Sequence, residues 1–301
     1  MAQILTGRPV AEKIKEDLRP RIAELKRRGR RPGILVIRCG QEEADLAYER
    51  SVLKCAQELE IETRQMILPG TIGAASMEKA MAIADANARE DGFGVLLLRP
   101  LPRRLREAEK EINGRLSAEL DVDGMLGQSL QGVFTGEKLG FPPCTAEACL
   151  KVLDYYGIEC AGQRVVVIGR SLVVGRPVAM MLLERNATVT ICHRKTRDVA
   201  AITREADIIV TAAGAAGSLT REMVRPGQVV VDVSTNWVES GEGGRLVGDA
   251  VFDEVAEVVE AITPVPGGVG AVTTSVLMEH VVTSAELQAK KKPQRSCGWG
   301  R

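Results

Sequence analysis

Residues 165–177, with the sequence VVVIGRSLVVGRP, decide the fold. Four consecutive β-branched residues at 165–168 predict a strand buried on both faces. The glycine turn that follows leads into a helix, which Pro177 in its first turn and an apolar run behind it indicate. This order of strand, glycine turn and helix directs backbone N–H groups and the helix dipole at a phosphate. The stretch therefore predicts a nucleotide-binding unit, although a structural turn can have the same pattern.

The hydrophobic pattern repeats the alternation of strand and helix on both sides of this stretch. The predicted strands cover 34–37, 61–67, 95–98, 165–168, 188–191, 207–210, 229–233 and 260–262, and the longer predicted helices cover 9–28, 42–59, 76–89, 145–156, 176–185, 197–204 and 271–288. Such alternation predicts an α/β fold with parallel sheets joined by crossover helices. Residues 103–143 are less regular, and a domain boundary is expected near Pro142 and Pro143.

Composition excludes several classes of function. The chain has 301 residues, with 40 Lys and Arg balanced by 40 Asp and Glu, and aromatic residues make up only 3%. A zero net charge and few aromatic residues argue against nucleic acid and anionic membrane surfaces as partners. No apolar run approaches the roughly 20 residues of a membrane span, and the N-terminus lacks a signal-peptide core, so a cytoplasmic location is expected.

The cysteines and histidines do not predict a metal site. The seven cysteines are scattered without a C-x-x-C pair, which favours reduced thiols, and the two histidines lie far apart at 193 and 280. The tail at 289–301 has no apolar pattern and is expected to be disordered.

The glycine turn contains Gly169, Arg170, Ser171, Val174 and Gly175, all candidate cofactor contacts. The next strand ends in CHRKT at 192–196, where a carboxylate would select NAD by binding the ribose hydroxyl. No carboxylate is present, and Arg170 and Arg194 suit a 2′-phosphate, which favours NADP as the cofactor. The alternative is that Arg194 and its neighbours form a solvated loop.

Three later segments are candidate contacts for the nicotinamide or the substrate. The strand ends at 210–214 and 231–235 bring Gly214, Ser234 and Thr235, whose small side chains allow a ring to approach the backbone, although close strand–helix packing would use the same residues. The segment 262–270, ITPVPGGVG, predicts a rigid loop that includes Pro266, Gly267 and Gly268.

Several motifs in order resemble one family. These are GRSLVVGRP at 169–177, CH at 192–193 with Thr196, PCT at 143–145, DVDG at 121–124 and TPVPGGVG at 263–270. Together they resemble the methylenetetrahydrofolate dehydrogenase/methenyltetrahydrofolate cyclohydrolase family, over residues 2–288. The resemblance implies a two-domain α/β fold with a cleft between the domains. A folate-binding catalytic domain (1–143 with 271–288) would accompany a doubly wound, Rossmann-like NADP-binding domain (144–270), usually in a homodimer formed through the nucleotide domains.

The resemblance also implies residue roles in a pterin pocket. Tyr48 matches the family's tyrosine and Asp123 the second aspartate of its DVDG motif, so both are candidate catalytic and substrate-binding residues. The family's lysine, four residues after the tyrosine, is Val52 here, and its glutamine is Leu98, which is a candidate substrate-binding residue at that position. Lys54 lies about 200° further around the helix than position 52 and is expected to face elsewhere.

These two departures bear on the second reaction of the family. Opening the methenyl ring by water needs a proton-transfer group, whereas hydride transfer needs mainly alignment of the two rings. We therefore expect a dehydrogenase of 5,10-methylenetetrahydrofolate with weak or absent cyclohydrolase activity. The alternatives are a non-catalytic folate- and nucleotide-binding paralogue and a dehydrogenase of another small substrate.

Overall fold

The computed structural model describes residues 2–240 and 243–291. The helices are α1 (Gly7–Arg27), α2 (Glu43–Glu58), α3 (Ala74–Asp91), α4 (Glu109–Asn113), α5 (Gly127–Thr135), α6 (Cys144–Tyr155), α7 (Gly175–Glu184), α8 (Val199–Arg204), α9 (Phe252–Ala256) and α10 (Gly270–Lys291). The strands are β1 (Gln3–Ile4), β2 (Gly33–Cys39), β3 (Glu62–Leu68), β4 (Phe93–Leu97), β5 (Arg164–Ile168), β6 (Thr188–Cys192), β7 (Ile208–Thr211), β8 (Val229–Asp232), β9 (Asn236–Ser240), β10 (Gly243–Val247) and β11 (Ala261–Ile262).

The larger sheet is doubly wound around β5, as the resemblance implies. Its strand order is β1-β11-β8-β7-β5-β6, and every neighbouring pair is parallel. The chain runs from β5 to β6 on one side and then crosses back to β7 on the other. This reversal of strand order creates a topological switch point beside the carboxyl end of β5, which is where such sheets bind ligands.

The smaller sheet is also parallel, with the order β3-β2-β4. All seven residues of the central strand β2 are buried, whereas β3 is largely exposed at the edge. Helix α3 closes one side through Met77 and Met81, which belong to the same buried cluster as Leu35 and Ile37 of β2. The segment leading to Asp121 extends this sheet, because Asp121 forms a parallel bridge with Val95 of β4.

Contacts divide the described chain into two compact units. The large-sheet unit comprises the described residues within 1–15 and 127–276, and the small-sheet unit comprises those within 16–126 and 277–301. Residues 2–15 group with the large sheet because β1 pairs with β11, and residues 127–143 do so because α5 packs on α7. The functional domain boundaries given above, 1–143 with 271–288 and 144–270, stay a prediction.

The structure contains elements that the sequence pattern did not indicate. Helices α4 and α5 lie in the region described as irregular, and β9 and β10 pair as an antiparallel hairpin. Residues 289–291 continue helix α10, and the remainder of the tail expected to be disordered lies outside the described residues. In the part of the chain that the structure describes, no helix is both long and apolar enough to cross a membrane.

Candidate functional site

In the large-sheet unit, the predicted cofactor contacts lie in loops that follow parallel strands. Gly169 follows β5, Arg194 lies after β6, Gly214 after β7 and Ser234 after β8. The register pairs Ile168 with both Cys192 and Thr211, and Thr211 with Asp232, so these strands end at the same level. The loops therefore cluster at the carboxyl edge of the sheet, beside the switch point.

The glycine turn is close-packed against its neighbours. Gly169 donates its N–H to the carbonyl of Cys192 at 2.9 Å and has a φ of +127°. A Cβ atom on Gly169 would lie 2.2 Å from the carbonyl oxygen of Ala212, and one on Gly175 would lie 2.3 Å from the carbonyl oxygen of Gly169. Only glycine fits both positions, so the backbone of the turn lies directly against the end of β7.

Ser171 organises the start of helix α7 from within the turn. Its Oγ accepts hydrogen bonds from the N–H groups of Val174 at 3.1 Å and Gly175 at 3.4 Å. This hydroxyl fixes the conformation in which the turn enters the helix, and Val174 is the residue that precedes the first helical residue. Sequence reasoning grouped Ser171 with the cofactor contacts, and the structure gives it a local role in holding the turn.

The loop after β6 exposes Arg194. His193 accepts a hydrogen bond at Nδ1 from the N–H of Lys195 at 3.2 Å, and its own N–H donates to Oγ1 of Thr196 at 2.9 Å. These bonds fold residues 193–196 into a tight turn that leaves the side chain of Arg194 exposed. Arg170 is exposed as well, in the glycine turn. Both guanidinium groups are therefore available to an anionic ligand.

Two buried aspartates hold the loops after β7 and β8, and sequence reasoning assigned neither of them a role. Asp249 is fully buried. Its carboxylate accepts hydrogen bonds from the N–H groups of Ala213 (2.6 Å), Gly214 (3.2 Å) and Ala215 (2.8 Å), and from the side chains of Thr211 (3.0 Å), Ser234 (2.8 Å) and Asn236 (3.1 Å). Gly214 and Ser234 are also bonded to each other, at 3.1 Å, whereas Thr235 beside them is exposed.

Asp232 at the end of β8 holds the backbone at Asp249 in place. It is buried and accepts hydrogen bonds from the N–H groups of Ala250 at 2.8 Å and Asp249 at 3.1 Å. Burial raises the pKa of Asp232 to about 7, against the opposing effect of these N–H donors. The sequence alone does not show that Asp232 and Asp249 lie close together. That proximity depends on the β9–β10 hairpin, which returns the chain to this edge of the sheet.

The loop after β11 also belongs to the large-sheet unit. The carbonyl of Gly267 accepts a hydrogen bond from the N–H of Gly7, at 2.8 Å, at the start of α1. Pro266 and Gly267 are exposed, whereas Gly268 is buried. The predicted rigid loop is thus anchored on one side and presents residues 266–267 on the other.

In the small-sheet unit, the predicted pterin residues lie near the carboxyl edge of the sheet. Tyr48 is half-buried in the second turn of α2, which follows β2. Leu98 directly follows β4 and is almost entirely buried. Asp123 is half-buried and follows the segment that pairs with β4. The structure thus gathers Tyr48, Leu98 and Asp123 in one unit, whereas Pro266–Gly268 belong to the other.

A buried ion pair fixes helix α2, and sequence reasoning did not find it. Arg38 of β2 donates from Nε to Oε2 of Glu49 at 2.8 Å, and Gln65 of β3 donates to Oε1 of Glu49, also at 2.8 Å. Because Arg38 and Glu49 are 5% and 3% exposed, this network locks the rotation of α2 about its axis. Because Tyr48 immediately precedes Glu49 on this helix, the same network sets the direction that position 48 faces.

Position 52 is apolar and fully enclosed. Val52 is 0% exposed, one helical turn after Tyr48. Lys54 is exposed and lines a surface groove with Arg50 and Gln57, which confirms that it faces away from position 52. Helix α2 therefore places no lysine beside Tyr48.

Asp123 has an unusual electrostatic environment. Burial, and secondarily the charge of Asp121, raise the pKa of Asp123 to about 6, while Arg99 and His280 act in the opposite direction. Arg99 is itself largely buried, pairs with Glu109 and donates to Oδ1 of Asn113 at 2.9 Å. Asp123 can therefore gain or lose a proton close to neutral pH, which makes it a candidate functional group. Among the described residues, no cluster of three or more potential ligands could hold a metal ion.

Family models match most of the chain. The model for the tetrahydrofolate dehydrogenase/cyclohydrolase catalytic domain matches residues 5–123, and the model for the NAD(P)-binding domain of the same proteins matches residues 143–289. The first region contains Tyr48, Leu98 and Asp123, and the second contains the glycine turn and the loops after β6, β7, β8 and β11.

Relatives of similar length match almost the whole chain. Bifunctional protein FolD from Carboxydothermus hydrogenoformans is 44% identical over 287 residues, which cover 95% of this chain and 98% of the relative. Bifunctional protein FolD from Clostridium botulinum strain 657 is 45% identical over 286 residues, covering 95% and 99%.

Solved structures agree with this similarity. The bifunctional methylenetetrahydrofolate dehydrogenase/cyclohydrolase FolD from Campylobacter jejuni has a TM-score of 0.89 at 36% identity, and the match covers 95% of this chain and 99% of that one. The corresponding enzyme from Trypanosoma brucei, complexed with NADP and an inhibitor, has a TM-score of 0.88 at 34% identity, covering 96% and 99%.

Proposed function

The chain belongs to the tetrahydrofolate dehydrogenase/cyclohydrolase family, and on that premise we propose that it oxidises 5,10-methylenetetrahydrofolate to 5,10-methenyltetrahydrofolate with NADP. We further propose that the second activity of the family, hydrolysis of the methenyl product, is weak or absent. The first proposal is supported by the complete nucleotide-binding edge of the large sheet, and the second by the apolar side chain at position 52.

The large-sheet unit fits a dinucleotide. The glycine turn lies directly against the Ala212 backbone, where a side chain would collide, and it opens a helix of ten residues, α7, at whose N-terminus an anion is stabilised. Gly169, Arg170, Ser171, Val174 and Gly175 would surround the phosphates. Gly214, Ser234 and Thr235 would hold the nicotinamide end, with Asp249 keeping their loops in place. When bound, the nicotinamide accepts the hydride that leaves the methylene bridge.

The preference for NADP over NAD is proposed on the charges near the end of β6. Arg170 and Arg194 are exposed there, and residues 192–196 include no carboxylate that would repel a 2′-phosphate. Replacing Arg194 with Ala should weaken NADP binding about tenfold and leave NAD binding unchanged, as measured by calorimetry. Equal losses for both cofactors would assign Arg194 to the solvated loop instead.

The small-sheet unit supplies groups that suit a pterin. An ionised Asp123 can accept hydrogen bonds from the ring N–H and amino groups of the pterin, and Tyr48 offers a hydroxyl and an aromatic face. Leu98 would contribute an apolar wall where the family has an amide. Pro266, Gly267 and Gly268 are proposed as further substrate contacts, because a stiff loop can hold a ligand at little entropic cost.

The proposed loss of the second activity rests on Val52. A buried valine one turn after Tyr48 cannot donate or accept a proton, and Lys54 on the same helix is exposed elsewhere. Hydride transfer depends on alignment and does not need this group. The chain would therefore release methenyltetrahydrofolate as its main product.

A single-turnover assay tests both proposals together. The purified protein is mixed with methylenetetrahydrofolate and NADP, and NADPH formation is followed beside decay of added methenyltetrahydrofolate. We expect NADPH to form while the methenyl compound decays at the uncatalysed rate. Rapid hydrolysis of the methenyl compound would contradict the proposed loss, and absence of NADPH would favour a non-catalytic paralogue or a different substrate.

We also propose that the chain forms a homodimer through its large-sheet unit. Phe134 of α5 and Leu183 of α7 are 75% and 55% exposed on two helices that pack together, and such apolar surface commonly marks a protein interface. Replacing both with Asp should convert the dimer to a monomer in light scattering. Ile83→Asp, which alters an equally exposed apolar residue of α3 in the other unit, should leave the mass unchanged.

A further inference from the structure

Helix α10 carries a buried polar stripe within the small-sheet unit. His280, Ser284 and Gln288 follow one another at intervals of four residues and therefore share one face of the helix. They donate hydrogen bonds to the main-chain carbonyls of Val122 (2.8 Å), Glu119 (2.7 Å) and Phe93 (3.1 Å), respectively. The stripe attaches the helix to β4 and to the segment that precedes Asp123.

His280 differs from the other two members because it contacts the turn that presents Asp123. Val122 immediately precedes Asp123, and its carbonyl can only accept a hydrogen bond, so Nδ1 of His280 carries the hydrogen. The other ring nitrogen, Nε2, is then the atom that gains or loses a proton. A buried imidazole with one nitrogen committed to the backbone has a fixed ring plane as well as a variable charge.

The charged groups that face Asp123 come from three parts of the unit. They are Asp121 in the same turn, Arg99 after β4 and His280 on α10. Arg99 is held by Glu109 and Asn113, and Oδ2 of Asp121 accepts a hydrogen bond from the N–H of Leu126 at 2.7 Å. An arginine keeps its charge at all relevant pH values, whereas an imidazole normally changes charge between pH 5 and 8. Of these groups, the imidazole of His280 is the one whose ordinary titration range lies near neutral pH.

We propose that His280 is a positioning residue for Asp123 and is coupled to it: its Nδ1–H fixes, through the Val122 carbonyl, the turn that presents Asp123. Its effect on substrate binding rests on the proposed function, in which Asp123 binds the pterin. The coupling between the two side chains does not depend on any substrate. The two parts can therefore be tested separately.

The coupling is tested by proton titration in NMR spectra of the full chain. The sequence contains only two histidines, and His280→Asn identifies the His280 signal by its loss. We expect Asp123→Asn to lower the titration midpoint of His280 by about half a pH unit, because removing a carboxylate destabilises the imidazolium. Ser284→Ala breaks a neighbouring bond of the same stripe and should leave that midpoint unchanged. An unchanged midpoint in Asp123→Asn would overturn the proposal.

The effect on the substrate is tested by the pH dependence of KM for methylenetetrahydrofolate. Asn places its amide nitrogen at the same distance from Cα as Nδ1 of histidine, so His280→Asn can keep the bond to Val122 but not the charge. In His280→Asn, we expect the acidic limb of the KM profile, where KM rises at low pH, to lie about half a pH unit higher than in the wild type. KM at pH 8 should stay within about twofold of the wild-type value. His280→Ala, which loses both, should raise KM about fivefold or more at every pH.

Ser284→Ala is also the matched control for the KM measurement. Ser284→Ala should leave the acidic limb in place, because Ser284 contacts Glu119 rather than the turn before Asp123. An acidic limb that does not move in His280→Asn would overturn the positioning role. If Asp123→Asn itself left KM unchanged, the pterin assignment would fail, and the NMR titration would still decide whether the two groups are coupled.

Discussion

The two units use the same strand–helix architecture, but one candidate site is formed mainly by backbone groups and the other mainly by side chains. In the large-sheet unit the site is made of backbone: a glycine turn, a helix N-terminus and loop amides held by Asp249. In the small-sheet unit it is made of side chains, namely Tyr48, Asp123 and whatever occupies position 52. A backbone site survives most substitutions, whereas a side-chain site can lose one chemical step through one residue, which is the effect proposed for Val52.

The largest effect is expected from Gly169→Ala. The new Cβ atom would lie 2.2 Å from the carbonyl of Ala212 at a φ of +127°, so the turn must move. We expect the free energy of unfolding to fall by about 3 kcal/mol, and the Kd for NADP to rise about 100-fold or more, equivalent to about 2.7 kcal/mol. Denaturant titration and calorimetry measure these two quantities.

Gly157→Ala is the matched control for this variant. Gly157 also has a positive φ, +67°, but no atom lies within 4 Å of an added Cβ. It should cost about 1 kcal/mol of unfolding free energy and leave NADP binding unchanged. Wild-type NADP affinity in Gly169→Ala would mean that this turn is not the phosphate site.

This contrast also explains how much the sequence could predict. The βα order and the glycine turn were found because buried strands and turns have strong local patterns, and β5 and α7 lie within one residue of their predicted bounds. The hairpin β9–β10 was missed because its residues are short of apolar alternation. Asp249 was missed as a consequence, because its role depends on this hairpin returning the chain to the ends of β7 and β8.

The side-chain site was less accessible to sequence reasoning. The resemblance supplied Tyr48, Asp123 and the substitution at Val52, and helical periodicity was enough to predict that Lys54 faces away. The Arg38–Glu49 pair and the contact from His280 to Val122 join residues 11 and 158 positions apart in the chain. No local pattern indicates such partners, because each contact depends on how separate segments of the chain pack together.

The next largest effect is expected from Asp123→Asn. Losing a charged acceptor should raise KM for methylenetetrahydrofolate about 100-fold, since hydrogen bonds to charged groups contribute about 1.5–3 kcal/mol each. In the wild type, KM should also rise below pH 6, because the pKa of Asp123 is about 6 and the protonated carboxyl loses acceptor capacity. Steady-state kinetics between pH 5 and 8 measure both effects.

Glu78→Gln is a control from the surface of the same unit. Glu78 is half-buried and pairs with the exposed Arg115 at the surface, so solvent screens this ion pair. This variant should keep the wild-type KM and its pH dependence. If both variants behave alike, Asp123 does not bind the substrate.

A smaller gain of function is expected from Val52→Lys. A lysine at this position would place an amine one turn after Tyr48, where general acid–base catalysis of ring opening requires a proton-transfer group. We expect hydrolysis of methenyltetrahydrofolate to increase at least about tenfold, with the dehydrogenase rate changed less than about threefold. Val52→Met fills the same space without an amine and should give no increase. An equal rate in both variants would show that the missing lysine does not limit this reaction.

The smallest effect concerns the pH dependence of stability in the large-sheet unit. The pKa of Asp232 is about 7 in the folded chain, above its ordinary value of 3.8, so the native state binds more protons than the unfolded state between these pH values. Stability from this group is therefore fully present below pH 3.8 and is lost progressively as the pH rises from there through 7. Asp232→Asn, which mimics the protonated acid, should remove the dependence. Relative to this variant, the wild type should lose about 2 kcal/mol of unfolding free energy between pH 5 and 8, by denaturant titration. A constant difference across that range would mean that Asp232 stays ionised, held by the N–H groups of Asp249 and Ala250.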